Sequence, residues 1–373
     1  MSTTRTTIST TTSTTTTVFT ASEAADPGYS HGPHAAAHAA GGPGQAQADG
    51  FAVSVVLPTS GRLDLLDRSL DALTRQNLPG ASYELIIVDD EADPGTLQLV
   101  AGWRSRTGAR GPCITYLAND APHGPAAARN RGWRMAGAPI IAFTDDNTVP
   151  SPDWLQQGLN AFNDNIDVLC GPVHMALPRH PTDYQRDASQ LESSEFIVAN
   201  CFCRKQVLQA VDGFDERFSV AWRDDSDLYF RLLKHHARIA RASQVMVEHP
   251  VRAAPWGASL GQASKISYDA LLYKKHPELY REKIRRRWRW DYYAVVGALL
   301  AAVLGVAFDQ RQLAVCGAAI WLMLTALFCI QRLRGTAKTP SHILEMVVTS
   351  ALIPPLAVFW RVVGAVKFRA RFA

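Results

Sequence analysis

The sequence predicts an α/β fold, a mostly parallel sheet with helices on both faces, followed by a C-terminal helical membrane region. Three observations predict it. Short apolar runs closed by turn residues alternate with segments of helical spacing from residue 51 onward. Adjacent acids close two of those runs, Asp89-Asp90 after Ile86-Ile87-Val88 and Asp145-Asp146 after Ile140-Ile141-Ala142-Phe143-Thr144. Beyond residue 286, long apolar stretches follow a dense basic and aromatic cluster.

Residues 1–50 are rich in Thr, then in Ala, Gly, Pro and His, with too few large apolar side chains to offset the entropy of ordering. They are expected to be a disordered tail. They lack the apolar core of a signal peptide. Phe51 to Pro58 reads as the first strand, ending in the turn Pro58-Thr59-Ser60-Gly61-Arg62. Leu63, Leu66, Leu70 and Leu73 then recur at helical spacing. Tyr83 to Val88 is a second strand, Thr96 to Arg106 a helix and Ile114 to Leu117 a third strand. Gly124-Pro125 opens a helix over Ala126 to Met135, whose N-terminus suits a phosphate, with Arg129 and Arg131 as charge partners.

The run Ile140–Thr144 is the stretch on which this reading turns. Open α/β sheets bind ligands just beyond the carboxyl ends of their strands. Asp145 and Asp146 stand there, and two adjacent acids suit a hard divalent cation and a sugar hydroxyl. A solvated turn at Asp145-Asp146-Asn147 is the structural alternative. Asp89 or Asp90 likewise suits a nucleoside base or ribose, with helix capping as the alternative.

Residues 151–250 carry a second half. Trp154 to Phe162 reads as a helix, Val168 to Met175 as a strand, Tyr184 to Ser194 as a polar loop, Phe196 to Cys203 as a strand and Arg204 to Val211 as a helix. Asp224, Asp225 and Asp227 cluster at the start of an amphipathic helix, where the helix dipole alone would stabilise them. A carboxylate beside a metal-bound diphosphate also serves as a general base toward an attacking hydroxyl. Asp225 is assigned that role, with Asp224 orienting the acceptor. Trp222 and Trp256 are candidates for stacking on a sugar, or for the core.

Composition narrows the classes. A net charge of +4 over 373 residues does not mark a nucleic-acid binder, and none is expected as a partner. The cysteines Cys113, Cys170, Cys201, Cys203, Cys316 and Cys329 form no CxxC pair, so neither a zinc framework nor a disulfide scaffold is indicated.

Five segments in order resemble a family 2 glycosyltransferase with the GT-A fold. They are Val55-Val56-Leu57-Pro58-Thr59, Ile86–Asp90, Ala128-Arg129-Asn130-Arg131-Gly132, Phe143–Asn147, and Gly213–Phe218 followed by Asp224-Asp225-Ser226-Asp227-Leu228. The resemblance spans about residues 51–250. It implies a metal-dependent, inverting transfer of a sugar from a nucleoside diphosphate sugar to a hydroxyl of a glycan or lipid acceptor, in cell-surface glycan or glycolipid synthesis. It implies donor binding by Pro58, Thr59, Arg62, Asp89, Asp90, Arg129 and Asp145. Asp145 would touch the ribose, and Asp146 would hold Mn²⁺ or Mg²⁺, with His249 nearby. Asp225 would be the base, with Asp224 beside it where the family usually has Glu. The Gln-x-x-Arg-Trp motif of processive members is only half matched by Arg286-Arg287-Trp288-Arg289-Trp290, so no polymerase is predicted. Alternatives are a polyprenyl-phosphate glycosyltransferase and, from another class, a non-catalytic nucleotide-binding membrane scaffold.

The expected domains are a tail over 1–50, a catalytic domain over 51–285 and a membrane region over 286–373. Tyr293–Phe308 and Leu313–Ile330 approach the ~20 residues needed to span a bilayer. The third run, 343–366, is broken by Pro354-Pro355 and Trp360-Arg361 and is expected to be re-entrant or interfacial, three spans being the alternative. The catalytic domain and C-terminus are expected on the cytoplasmic side of the cell's inner membrane.

Overall fold

The computed structural model describes residues 16–19, 50–120, 123–251, 254–285 and 289–371. Its elements run β1 (Thr16–Phe19), β2 (Val53–Thr59), α1 (Leu63–Thr74), β3 (Tyr83–Asp89), α2 (Pro94–Thr107), β4 (Cys113–Ala118), α3 (Pro125–Met135), β5 (Ile140–Thr144), β6 (Val149–Pro150), α4 (Trp154–Ala161), β7 (Val168–Cys170) and β8 (Val173–His174). They continue with α5 (Asp183–Ala188), β9 (Asn200–Arg204), α6 (Lys205–Ala210), α7 (Asp224–Lys234), β10 (Ile239–Ala242), β11 (Val247–Glu248), α8 (Ala258–Gln262), α9 (Ser267–Lys275), the one-turn α10 (Pro277–Leu279), α11 (Trp290–Ala307), α12 (Arg311–Leu333) and α13 (Pro340–Lys367).

Among the described residues the main sheet has the order β1-β10-β7-β9-β5-β2-β3-β4. β5, β2, β3 and β4 pair in parallel, whereas β9 runs antiparallel to both β5 and β7. The apolar continuity of β2 follows from burial on both faces, all seven residues being buried. Alternate side chains enter opposite cores. Val53, Val55 and Leu57 pack with Leu66, Leu70 and Leu73 of α1, while Val56 packs with Ala126, Ala128 and Trp133 of α3. Gly132 lets α3 approach, because a Cβ there would lie 2.4 Å from Val56 Cγ1.

A small sheet of order β6-β11-β8 lies beyond the end of β5. Glu248 pairs with Val149, and this brings the next residue, His249, alongside Asn147.

Several expected elements change. Thr16–Phe19, placed in the disordered tail, pair antiparallel with Ile239–Ala242 at the sheet edge. The rest of that tail lies outside the described residues, apart from Gly50. The polar segment 184–194 is not a plain loop. Thr182 caps α5 in a capping box with Gln185, and a 3₁₀ segment, Ser189–Ser193, follows. The strand expected from Phe196 begins only at Asn200.

α11, α12 and α13 are each long and apolar enough to cross a membrane. The break expected at Pro354-Pro355 is absent, for α13 runs unbroken through both prolines. Packing overrides the lost hydrogen bonds. Pro354 is buried, and α13 contacts α9, α11 and α12. Both ends of α13 also touch the α/β domain. Near its start Glu345 accepts from Gly257 N–H at 2.8 Å, and just past its end Lys274 Nζ donates to the Phe368 carbonyl at 2.9 Å.

Candidate active site

The carboxyl ends of β2, β3 and β5 and the start of α7 meet at a cavity of about 1070 Å³. Its wall includes Pro58, Thr59, Arg62, Asp90, Arg129 and Asp145, and also Asp224, Asp225 and His249. Two of the expected site residues, Asp89 and Asp146, are fully buried behind that wall.

Asp89 accepts from the backbone N–H groups of Glu91 (3.1 Å) and Asp93 (2.8 Å) and from the Tyr116 hydroxyl (2.8 Å). It shapes the turn after β3. Asp90 accepts from Asn119 Nδ2, from His123 N–H and from Gly124 N–H, at 2.8, 3.0 and 2.8 Å. It thereby fixes the start of α3 at the cavity edge. Gly124 is needed there, since its φ is +90° and a Cβ would lie 2.3 Å from the Ser219 carbonyl oxygen.

Asp145 and Asp146 point in different directions, as adjacent residues at a strand end do. Asp146 accepts from Thr59 Oγ1 at 2.9 Å and pairs with Arg62 at 2.6 Å. Asp145 faces the cavity and pairs with Arg129 at 2.7 Å. Arg129 does not reach the N-terminus of α3, where a phosphate was expected to meet it. Its other terminal nitrogen pairs with Asp224, also at 2.7 Å, so one buried guanidinium joins the end of β5 to the start of α7. Arg131 likewise turns away, to the Ala118 carbonyl and Asn119 Oδ1.

One arginine between several carboxylates sets an uneven electrostatic pattern. Burial opposes the charge on Asp145, but Arg129, then His249 and Arg62, outweigh it and hold the carboxyl low. At Asp224 burial dominates, aided by Asp225 and Asp145, and the carboxyl is raised against the pull of Arg129.

Asp225 differs from both. Its Oδ1 accepts from Ser226 N–H at 2.6 Å, and among the described residues it makes no ion pair. Its second oxygen is left for the cavity. Asp225 lines the cavity at the first turn of α7. Arg223, just before α7, sits in the left-handed region at φ 68°, held by its Nε donating to Asp269 Oδ1 at 2.7 Å. Trp222 Nε1 donates to the same oxygen at 3.1 Å, so that ring, although on the cavity wall, is tied to α9. Trp256 is exposed and is not on the wall.

Asp227 is structural in its contacts. It is fully buried and meets Arg231 Nε (2.8 Å), His276 Nε2 (3.0 Å) and Lys275 Nζ (2.5 Å). Lys275 also pairs with Asp215, whose carboxyl is held well below its usual range, Arg217 and Lys275 outweighing burial. The Gly213–Phe218 segment and α7 are thus clamped to α9.

Among the described residues no three His, Cys, Asp or Glu side chains cluster as a metal site. The oxygen and nitrogen donors nearest the expected position are Asp145, Asp146, Asn147 and His249, the last two 3.0 Å apart. No motif pointed to Lys265 or Glu195, whereas Lys283 stood in the basic cluster read as facing a membrane surface and Asp187 in the loop Arg179–Ser194 expected to choose the acceptor; all four line the cavity. Asp187 and Glu195 come in on the segment that precedes β9, and Lys265 and Lys283 on the chain that returns past α7.

With this geometry in place, comparison with known proteins is informative. Residues 54–208 match the family model described as glycosyl transferase family 2. The chain is 27% identical over 172 residues to glycosyltransferase AglE of Haloferax volcanii, a match covering 43% of this chain and 55% of that protein. It is 36% identical over 132 residues to validoxylamine A glucosyltransferase of Streptomyces hygroscopicus subsp. jinggangensis, covering 35% of this chain and 30% of that one. The chain therefore spans about half, or less, of the length of these relatives. Among solved structures it resembles mannosyltransferase PcManGT from Pyrobaculum calidifontis, in complex with GDP-Man and Mn²⁺, at a TM-score of 0.50 and 16% identity, covering 85% of this chain and 87% of that one. That likeness concerns the fold.

Proposed function

From a chain that carries a glycosyl transferase family 2 domain on a GT-A-like sheet, we propose a membrane-anchored, inverting glycosyltransferase. It moves a sugar from a nucleoside diphosphate sugar to an acceptor hydroxyl in cell-surface glycan or glycolipid synthesis. The observation that carries this reading is the convergence of three strand ends and the start of α7 on one acid-lined cavity.

Asp225 takes the acceptor proton as its oxygen attacks the anomeric carbon. The bond from that carbon to the diphosphate breaks, and the nucleoside diphosphate leaves with the electron pair. No covalent nucleophile is needed. Asp90, on the cavity wall, is the acid suited to the nucleoside base, and Asp145 is suited to the ribose. Arg129 acts by positioning, since both its terminal nitrogens are engaged by Asp145 and Asp224.

The residues fit a divalent cation. Asp146 is held by Thr59, and its partner Arg62, on the cavity wall, is partly exposed. Such ions need only one or two carboxylates besides substrate phosphate. Asp146, with His249 held against the neighbouring Asn147, would hold Mn²⁺ or Mg²⁺. When bound, the ion supplies positive charge for the departing diphosphate.

The helices α11 and α12 anchor the domain, and α13 lies at the interface with both ends on the α/β domain. Arg334, Lys338, Lys367, Arg369 and Arg371 fall on the cytoplasmic side under the positive-inside rule, with the catalytic domain. Turnover of UDP-, GDP- and dTDP-sugars by the purified chain in detergent, with Mn²⁺, Mg²⁺ or EDTA, tests the reading. We expect one donor to be consumed with metal only, and Asp146→Ala to abolish it. Equal turnover in EDTA would refute the metal assignment.

A further inference from the structure

Two guanidinium groups, those of Arg129 and Arg223, act electrostatically on the Asp225 carboxylate. Neither is in contact with it. Arg129 is held at 2.7 Å by both Asp145 and Asp224. Arg223 is only two residues from Asp225 and lines the same cavity, yet its Nε donates to Asp269 Oδ1 at 2.7 Å. Among the described residues Asp225 is thus left without an ion pair at contact distance, although a counterion stands two positions away.

The group that turns Arg223 away is built into α9. Asp269 is buried, and it also accepts from Trp222 Nε1 at 3.1 Å and from the Tyr280 hydroxyl at 3.2 Å. The Arg223 guanidinium lies over the Trp222 ring, 4.7 Å from its centroid. Burial opposes the Arg223 charge, and Asp269 does most to offset it, ahead of Tyr280 and Asp225. α9 is in turn seated on α13. Gly364 meets Ser267 so closely that a Cβ would lie 2.3 Å from the Ser267 carbonyl oxygen, and Lys274 Nζ donates to the Phe368 carbonyl. Asp269 lies outside the residues 54–208 that match the family model.

A guanidinium in contact with Asp225 would spoil it as a base. Its N–H groups would occupy the carboxylate lone pairs, and the cation would stabilise the charged form against taking a proton. We propose that Asp269 is a positioning residue for the transfer reaction, holding the Arg223 guanidinium off Asp225 so that a carboxylate oxygen stays free for the acceptor proton. This rests on the glycosyltransferase reading with Asp225 as base. Asp227 clamps α7 to α9 separately, through Lys275 and His276, and that clamp does not depend on the Asp269 charge.

The test uses the full chain in dodecyl maltoside. Asp269→Asn keeps the shape and one acceptor oxygen but loses the charge. In wild type, Asp225→Asn should move the melting temperature by less than about 1 °C. In the Asp269→Asn background, where Arg223 is free to pair with Asp225, the same change should lower it by about 2–4 °C. Equal effects in the two backgrounds would overturn the proposal. Turnover is then read with whichever of UDP-, GDP- or dTDP-glucose the wild type consumes. Asp269→Asn should lower kcat by about tenfold or more, with donor KM and the affinity for the matching nucleoside diphosphate within about threefold of wild type. Adding Arg223→Gln should recover most of that loss, because the competing cation is gone. An unchanged kcat in Asp269→Asn, or a double variant no faster than the single one, would mean a merely structural pair and overturn the proposal. If Asp269→Asn does not fold, the double variant, which buries neither charge, takes its place. It should turn over within about tenfold of wild type, and a loss of about a hundredfold would refute the role. Where wild type binds a nucleoside diphosphate but consumes no donor, the melting temperatures alone decide. A folded wild type that neither binds a nucleoside diphosphate nor consumes a donor would sink the glycosyltransferase reading itself.

Discussion

Asp225→Asn is expected to lower the transfer rate by about 10²–10⁴-fold, the usual contribution of a positioned general base. Asn keeps the shape and the hydrogen bond from Ser226 N–H but cannot accept the acceptor's proton. Because Asp225 makes no ion pair among the described residues, the melting temperature should move little. The measurement is the initial rate of sugar transfer with acceptor and donor saturating, alongside a melting curve. A loss below about tenfold would contradict the assignment of a base and favour an acceptor oxygen that is already ionised, as in a lipid monophosphate. Asp224→Asn should differ in kind. That carboxylate is buried against Arg129, so its loss should appear in stability as well as in rate.

Arg129→Met should be the most destabilising single change at the site. It strands Asp145 and Asp224 without their shared counterion, and removing one partner from a buried pair costs about 3–5 kcal/mol. Urea unfolding in detergent would read this as a lower midpoint with an unchanged slope. Adding Asp224→Asn to Arg129→Met should restore part of the loss, because one of the stranded charges is then gone. A cost below about 1 kcal/mol would mean that water or another cation serves these carboxylates, and the bridge between β5 and α7 would lose its claimed role.

The sequence made the catalytic core legible because its signals are local. β2, β3 and β5 are short apolar runs whose ends carry the acids, and each forms where the pattern placed it. Burial of both strand faces is what makes such runs continuous. The start of α7, with its acids, was equally plain. What the acids do was less legible. Nothing in Asp145-Asp146 says that one faces the cavity and the other turns to Thr59 and Arg62, since that division depends on a partner strand distant in the chain. Arg129 read as a phosphate ligand because it lies near a helix start, but its position in the second turn of α3 points it across the sheet end to Asp224. Lys265 gave no signal, being an unremarkable lysine between two short helical segments until α13 packs the segment against the cavity. Pro354-Pro355 misled for a related reason, because local propensity predicted a break that tertiary packing on α9, α11 and α12 overrides.

The central claim is that the cavity at the ends of β2, β3 and β5 holds a nucleoside diphosphate. Isothermal titration of UDP, GDP and dTDP into the purified full chain, with Mn²⁺ present, tests it most directly. The account predicts saturable binding of one of the three with a stoichiometry of one, weakened by EDTA and by Asp146→Ala. Absence of binding for all three, in protein shown to be folded by its melting curve, would contradict it.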